Sequence, residues 1–140
     1  MGMDVKFTDN SMRVCAEIEA AITAGLHEAG GEFLAQVVRN TRENKFHDGG
    51  DTKKSFDYKV VGDTVYVGSN AENAIWEEYG TGIHAEKGDG RKTPWVYYDP
   101  AADSYFTTKG KKGTRALRKA MNDKAPVAKK IIETKLGAIE

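Results

Sequence analysis

Cysteine, histidine and proline are scarce in this 140-residue chain, which holds one, three and three of them. A single Cys15 excludes an internal disulfide, and its place beside an apolar helical stripe reads as that of a small hydrophobe. His27, His47 and His84 stand far apart in sequence. With no HExxH, no paired cysteines and no compact series of carboxylates, a metal centre finds little support, and no cofactor is expected. No uninterrupted apolar run approaches the ~18 residues of a membrane-spanning helix. The opening residues, with Asp4, Lys6 and Asp9 among short apolar patches, lack the basic-then-apolar order of an export signal, so the expectation is synthesis in a cytoplasm. A nucleotide loop is missing too: the run Gly88 to Thr93 (GDGRKT) has the residue types but not the spacing or the flanking strand and helix. Internal repeats and low-complexity segments are absent. The length suits one domain over residues 1–140, burying roughly two-thirds of the surface that its unfolded chain would expose.

Charge is balanced overall at 21 basic and 21 acidic residues, but it is unevenly placed. Residues 1–40 carry three basic and six acidic groups, residues 41–108 eight and twelve, and residues 109–140 ten and three. A basic tail on an acidic body can meet nucleic acid, the acidic body of a neighbouring copy, or only solvent. Lys111, Lys112, Arg115, Arg118 and Lys119 are the candidate contacts for DNA or an acidic partner. The basic run lacks interleaved aromatics, which argues against single-strand recognition by stacking.

Ser11 is a candidate N-cap, and Val14, Ile18, Ile22, Leu26, Ala29, Phe33 and Val37 follow at the spacing of one helical face, predicting a long helix over 11–40. Gly25, Gly30 and Gly31 mark either a bend in it or a place of close packing. A polar connection from Arg39 to Lys54 leads to Phe56, Tyr58 and Val60, which alternate with charged residues as in a half-buried strand. Gly62-Asp63 is a hairpin turn, and Thr64 to Val67 is the returning strand. Further on, Pro94 to Tyr98 and Ser104 to Thr108 read as two more strands joined by a turn through Asp99, Pro100 and Asp103, after an exposed loop over 83–93. The expected fold class is α+β: an antiparallel sheet of about four strands within 55–108, covered by the long helix. Two short C-terminal helices over 114–137 complete it, the first capped by Thr114, the second introduced by Asp123 and Pro126, with Gly137 as the stop.

The most distinctive stretch runs from Trp76 to Gly110, with both tryptophans and five other aromatics. Trp76 and Tyr79, three apart on a short helical turn, share a face, while Glu77 and Glu78 point elsewhere. Gly80 ends the turn and Gly82 allows a second change of direction. The succession EYGTG, GRKTPWVYYD and YFTTKG resembles a family of small bacteriophage morphogenesis proteins, the tail-component family typified by gene product ten of the lambdoid phage HK ninety-seven. The resemblance covers about Asp51 to Met121, starting at DTKKSF. Lys53 and Lys54 stand where that family would have glycine and leucine, and Ala116 where it would have a larger apolar residue.

What the resemblance implies is a non-enzymatic structural protein of a long-tailed phage or prophage, placed in the virion at the head-tail junction. Its implied form is a homo-oligomeric neck, tail-completion or tail-terminator ring that meets head-closure or connector proteins and tail-tube proteins. Weak, non-specific DNA contact and no membrane contact are expected. Trp76, Tyr79, Gly80, Thr81, Gly82, Arg91 and Trp95 are the candidate assembly residues. Two other classes stay open: a soluble nucleic-acid-binding protein, and a metal-dependent hydrolase built on Glu77 or Glu78, His84 and Asp89.

Overall fold

A computed structural model describes residues 2–41, 51–100 and 102–139. Its axis is helix α1, Ser11–Asn40, thirty residues long. Ser11 is the first helical residue and not the cap: the Asp9 carboxylate takes the Ser11 backbone N–H at 2.9 Å, and that bond holds Asp9 below the usual carboxylate range. A negative charge there also suits the positive end of the helix dipole.

Two of the three mid-helix glycines are packing sites. A Cβ at Gly25 would strike the Ile132 side chain, and one at Gly30 would strike the Tyr58 ring, whereas Gly31 faces open space. Glycine in a helix interior costs about 1 kcal/mol against alanine. Here that cost is offset by the approach of a second helix on one side and a strand on the other. Ala29 and Val37 are buried on the apolar stripe, but Val14 and Ile18, nearer the N-terminus, remain more than a third exposed. Cys15 is likewise exposed, not the buried or half-buried small hydrophobe its position suggested.

Of the expected connection between Arg39 and Lys54, residues 42–50, which include His47, lie outside the described residues; Asp51–Lys54 forms a single turn of helix, α2. Strands β1 (Phe56–Val61) and β2 (Thr64–Ser69) follow as an antiparallel hairpin with Val61 opposite Thr64. Gly62 opens the turn at φ +61°, and only glycine takes this backbone freely. Phe56, Tyr58, Val60, Val65 and Val67 are turned inward to varying degree, and α1 covers them.

The rest departs from the expected single sheet. Helix α3 (Glu72–Tyr79) and a 3-10 turn at Gly82–His84 come next, then strands β3 (Trp95–Asp99) and β4 (Ser104–Thr108), which among the described residues pair with each other and with no other strand. The structure therefore has two sheets of two strands, not one of four. A physical reason lies in the side-chain pattern. On β1 and β2 five of the apolar residues share one face, which fits under α1, and Val61 and Tyr66 stay exposed on the other. Strands β3 and β4 have apolar residues on both faces: Tyr97 opposite Phe106 on one, Tyr98 opposite Tyr105 on the other. One helix cannot cover both.

The two expected C-terminal helices are one, α4, Ala116–Gly137, with Pro126 inside it. Proline removes one helical hydrogen bond and normally costs ~3 kcal/mol. The helix continues because α1 lies along its length: Lys124 bonds Glu32 at 3.2 Å on one side of the proline, and Ile132 seats on Gly25 on the other. Gly137 is the last helical residue, as its position predicted.

Val37, Phe56, Ala74, Ala116 and Ala120 form the buried core, with Leu34, Val38, Val67 and Leu117 packed against it. It sits at the C-terminal end of α1. Ala116 is 1% exposed, so a larger side chain would not fit as this core is packed. The chain exposes 10154 Å² in all. Against the ~22,000 Å² of an unfolded chain of this mass, a little over half is buried, less than the two-thirds expected from length. Large apolar side chains contribute to the exposed area: Met3, Val5, Phe7, Met12, Tyr66, Val96 and Tyr105 are all largely exposed.

Candidate functional site: a glycine clasp and an aromatic groove

Two segments of backbone, 77–83 and 109–114, run against one another at the C-terminal end of α1. Thr81 N–H donates to the Lys111 carbonyl at 2.8 Å, Ile83 N–H to the Lys109 carbonyl at 3.0 Å and Thr114 N–H to the Glu77 carbonyl at 2.6 Å. The Thr81 hydroxyl accepts the Lys111 N–H at 3.0 Å, and the Thr114 hydroxyl donates to the Glu77 carbonyl, also at 3.0 Å. This pairing is closer than side chains would permit. A Cβ on Gly82 would fall on the Lys109 carbonyl oxygen, and one on Gly110 on the Thr81 carbonyl oxygen; the two glycines take φ +60° and +116°. Gly80 and Gly113 meet in the same way one step further along.

Two carboxylates lock the clasp to its neighbours. Glu78 is buried, and its oxygens accept the Leu117 N–H at 2.9 Å and the Arg118 N–H at 3.2 Å. It thereby caps α4 from another part of the chain, the role that Thr114 was expected to fill. Arg115, just before α4, takes the left-handed conformation at φ +55°. Glu77 pairs with the Lys111 ammonium; its second oxygen is buried and has no partner among the described residues.

Over the clasp lies an open groove of about 550 Å³. Trp76, Tyr79, Gly80, Thr81, Gly82, Arg91 and Trp95, the seven candidate assembly residues, all line it. The two tryptophans and Tyr79 are neither core residues nor fully exposed ones. The Arg91 guanidinium sits 5.6 Å from the Trp95 ring centroid, and the Lys87 ammonium 5.7 Å from that of Tyr79. The loop over 83–93 forms one wall and is mostly exposed. It is tied back by Glu86, whose N–H donates to the Tyr79 carbonyl at 3.0 Å and whose carboxylate takes both Arg118 amino groups at 2.6 and 2.9 Å. That bidentate bond, with the nearby positive charge, holds Glu86 below the usual carboxylate range and raises Arg118.

The five candidate basic contacts divide. Lys111 and Arg118 are joined to Glu77 and Glu86, and Arg115 stands 4.0 Å from Glu86. Lys112 and Lys119 are exposed and make no ion pair among the described residues. The groups considered for hydrolysis are not gathered round one pocket. Asp89 lines the groove, Glu78 is directed at the first turn of α4, and His84 is exposed on the 3-10 turn.

Sequence reading missed Gly110 and Gly113 as the counterparts of Gly82 and Gly80, and Glu78 as a cap. The glycine spacing in KGKKG was available as a signal, but nothing local says that it meets TGI thirty residues earlier. What fold and site define together is an α+β chain with an exposed aromatic groove on a backbone clasp. Comparison with protein-family models, curated proteins and solved structures returns no match.

Proposed function

We propose that this chain is a structural morphogenesis protein that joins head and tail in a long-tailed phage or prophage, assembled as a closed ring of identical copies. The sequence resemblance of EYGTG, GRKTPWVYYD and YFTTKG to the phage tail-component family is what suggests it. The observation that carries it further is the convergence of those strings: Tyr79, Gly80, Thr81 and Gly82 of the first and Arg91 and Trp95 of the second line one exposed aromatic groove, and Lys109 and Gly110 of the third meet Ile83 and Gly82 in the clasp beneath it. Half-exposed tryptophan and tyrosine flanked by arginine have the composition of an interface core before its partner arrives. The clasp beneath would make that surface stiff, which suits a mechanical joint.

Head-to-tail contact between copies gives a ring when the rotation closes. Closed rings are the expected result of negative-stain imaging of the purified chain, at a mass that stays fixed over a range of concentration. Removal of the gene from a phage or prophage that encodes it should leave filled heads and separate tails. Particles that lack the polypeptide and still carry working tails would end this reading.

A further inference from the structure

Residues 2–10 have no secondary structure and are exposed throughout. Within them Met3, Val5 and Phe7 alternate with Asp4, Lys6 and Thr8, the pattern of a strand with one apolar face. Those three apolar residues are 94, 86 and 90% exposed. A strand pattern without a sheet is one unmatched feature of the molecule. The other is the β3–β4 hairpin. Among the described residues it pairs with no further strand and makes few contacts with other elements. Two strands alone are marginally stable in water, and three with an apolar face are the usual minimum. Ser104 to Thr107 along β4 are exposed, and the face of Val96, Tyr98 and Tyr105 is open to solvent at 61, 46 and 74%.

Resting on the ring reading above, we propose that Met3–Phe7 of one copy adds as a third strand to the β4 edge of a second copy, so that Met3, Val5 and Phe7 lie beside Tyr105 and extend the apolar face that it forms with Val96 and Tyr98. Both segments are five residues long. Strand addition of this kind draws affinity from backbone hydrogen bonds and register from alternate side chains. It would also cover an edge that otherwise invites aggregation. The arm and the face together present several large apolar side chains, each able to bury roughly 150 Å² or more when aromatic.

A second copy is required by reach. The clasp holds the base of the hairpin at the C-terminal end of α1, where Lys109 bonds Ile83 and the Asn40 amide donates to the Ala116 carbonyl at 3.2 Å. The arm leaves from the other end of a helix that at 1.5 Å per residue is ~45 Å long. Phe7, four residues before Ser11, extends at most ~14 Å from the helix start. A five-residue hairpin folded back along α1 would add only ~17 Å. The arm of one copy therefore falls short of its own hairpin. Arm and hairpin at opposite ends are the two halves of a head-to-tail contact.

The test uses the full chain with Cys15→Ser, so that only introduced thiols react. Phe7→Cys and Tyr105→Cys chains of different tag length are mixed and oxidised, and the mixed covalent dimer is the expected product. Alongside, sedimentation across concentration compares the intact chain with one lacking residues 2–8, which keeps the Asp9 bond to α1. At least a tenfold rise in the concentration needed for assembly is expected, with circular dichroism unchanged. Assembly unaffected by the deletion, or assembly without the mixed disulfide, overturns the arm proposal and leaves the ring reading standing. An intact chain that stays monomeric at every concentration overturns both.

Discussion

Two glutamates on neighbouring elements carry opposite kinds of information. Glu78 is buried and spends its charge on two backbone N–H groups at the start of α4. Its loss leaves buried donors unmatched, so Glu78→Ala should destabilise by ~1–3 kcal/mol, with Glu78→Gln retaining part of the bond and costing less. Urea unfolding monitored by tryptophan fluorescence gives both values; equal stability of the Ala variant and the parent would remove the capping role. Glu86 is a surface group whose bidentate bond to Arg118 lowers its pKa. A carboxyl depressed on folding adds stability above its unfolded pKa, ~4.3 for a free glutamate, and loses it as pH falls through the lower folded value. In a carbon-detected NMR titration, Glu86 should therefore titrate below the ~4.3 of a free glutamate. Arg118→Gln should move it up and flatten that part of the acid limb of the stability profile.

At the scale of elements, the clasp is where sequence and structure part most instructively. Sequence patterning reached α1, the β1–β2 hairpin with its Gly62 turn, the two later strands and the glycine corner at Gly80 and Gly82, because each is set by residues within one or two turns of chain. It did not reach the pairing of 77–83 with 109–114, nor the continuity of α4 through Pro126, nor the separation of the two hairpins. Those depend on residues far along the chain: Lys109 for Gly82, α1 for the proline, and, among the described residues, the lack of a covering helix for β3–β4. The groove residues were legible, since the aromatic and glycine strings are unusual, but their meeting at one place was not. A matched pair of substitutions isolates the long-range part. Gly62→Ala faces open space and pays only for φ +61°, about 1–2 kcal/mol. Gly110→Ala adds to its positive φ a collision with the Thr81 carbonyl, which brings it to roughly 2–5 kcal/mol. Unfolding midpoints that place the two variants together would mean that the clasp yields easily.

For the molecule as a whole, the uneven charge of the sequence resolves largely inside one copy. The basic C-terminal segment is matched to the acidic body through Lys111 and Glu77, Arg118 and Glu86, Lys124 and Glu32, and Lys135 and Glu28. Those pairs hold the clasp and α4 against α1, α3 and the 83–93 loop, so they serve the monomer, while the surfaces that the proposed ring assigns to other copies, the arm, the groove and the β3–β4 faces, are rich in apolar and aromatic side chains. Salt separates the two kinds of contact. Between 0.1 and 1 M the screening length falls from ~10 to ~3 Å, and partly exposed ion pairs weaken. Apolar contacts do not weaken with salt, and sulfate strengthens them. Thermal unfolding of the chain held dilute enough to be monomeric should therefore shift down by a few degrees in 1 M sodium chloride. The concentration at which copies assemble should stay level or fall, and fall further in sodium sulfate. Light scattering across both salts reads this directly. Dissociation in sodium chloride would show instead that the lysines of one copy meet the carboxylates of the next, with the exposed Lys112 and Lys119 the first to test.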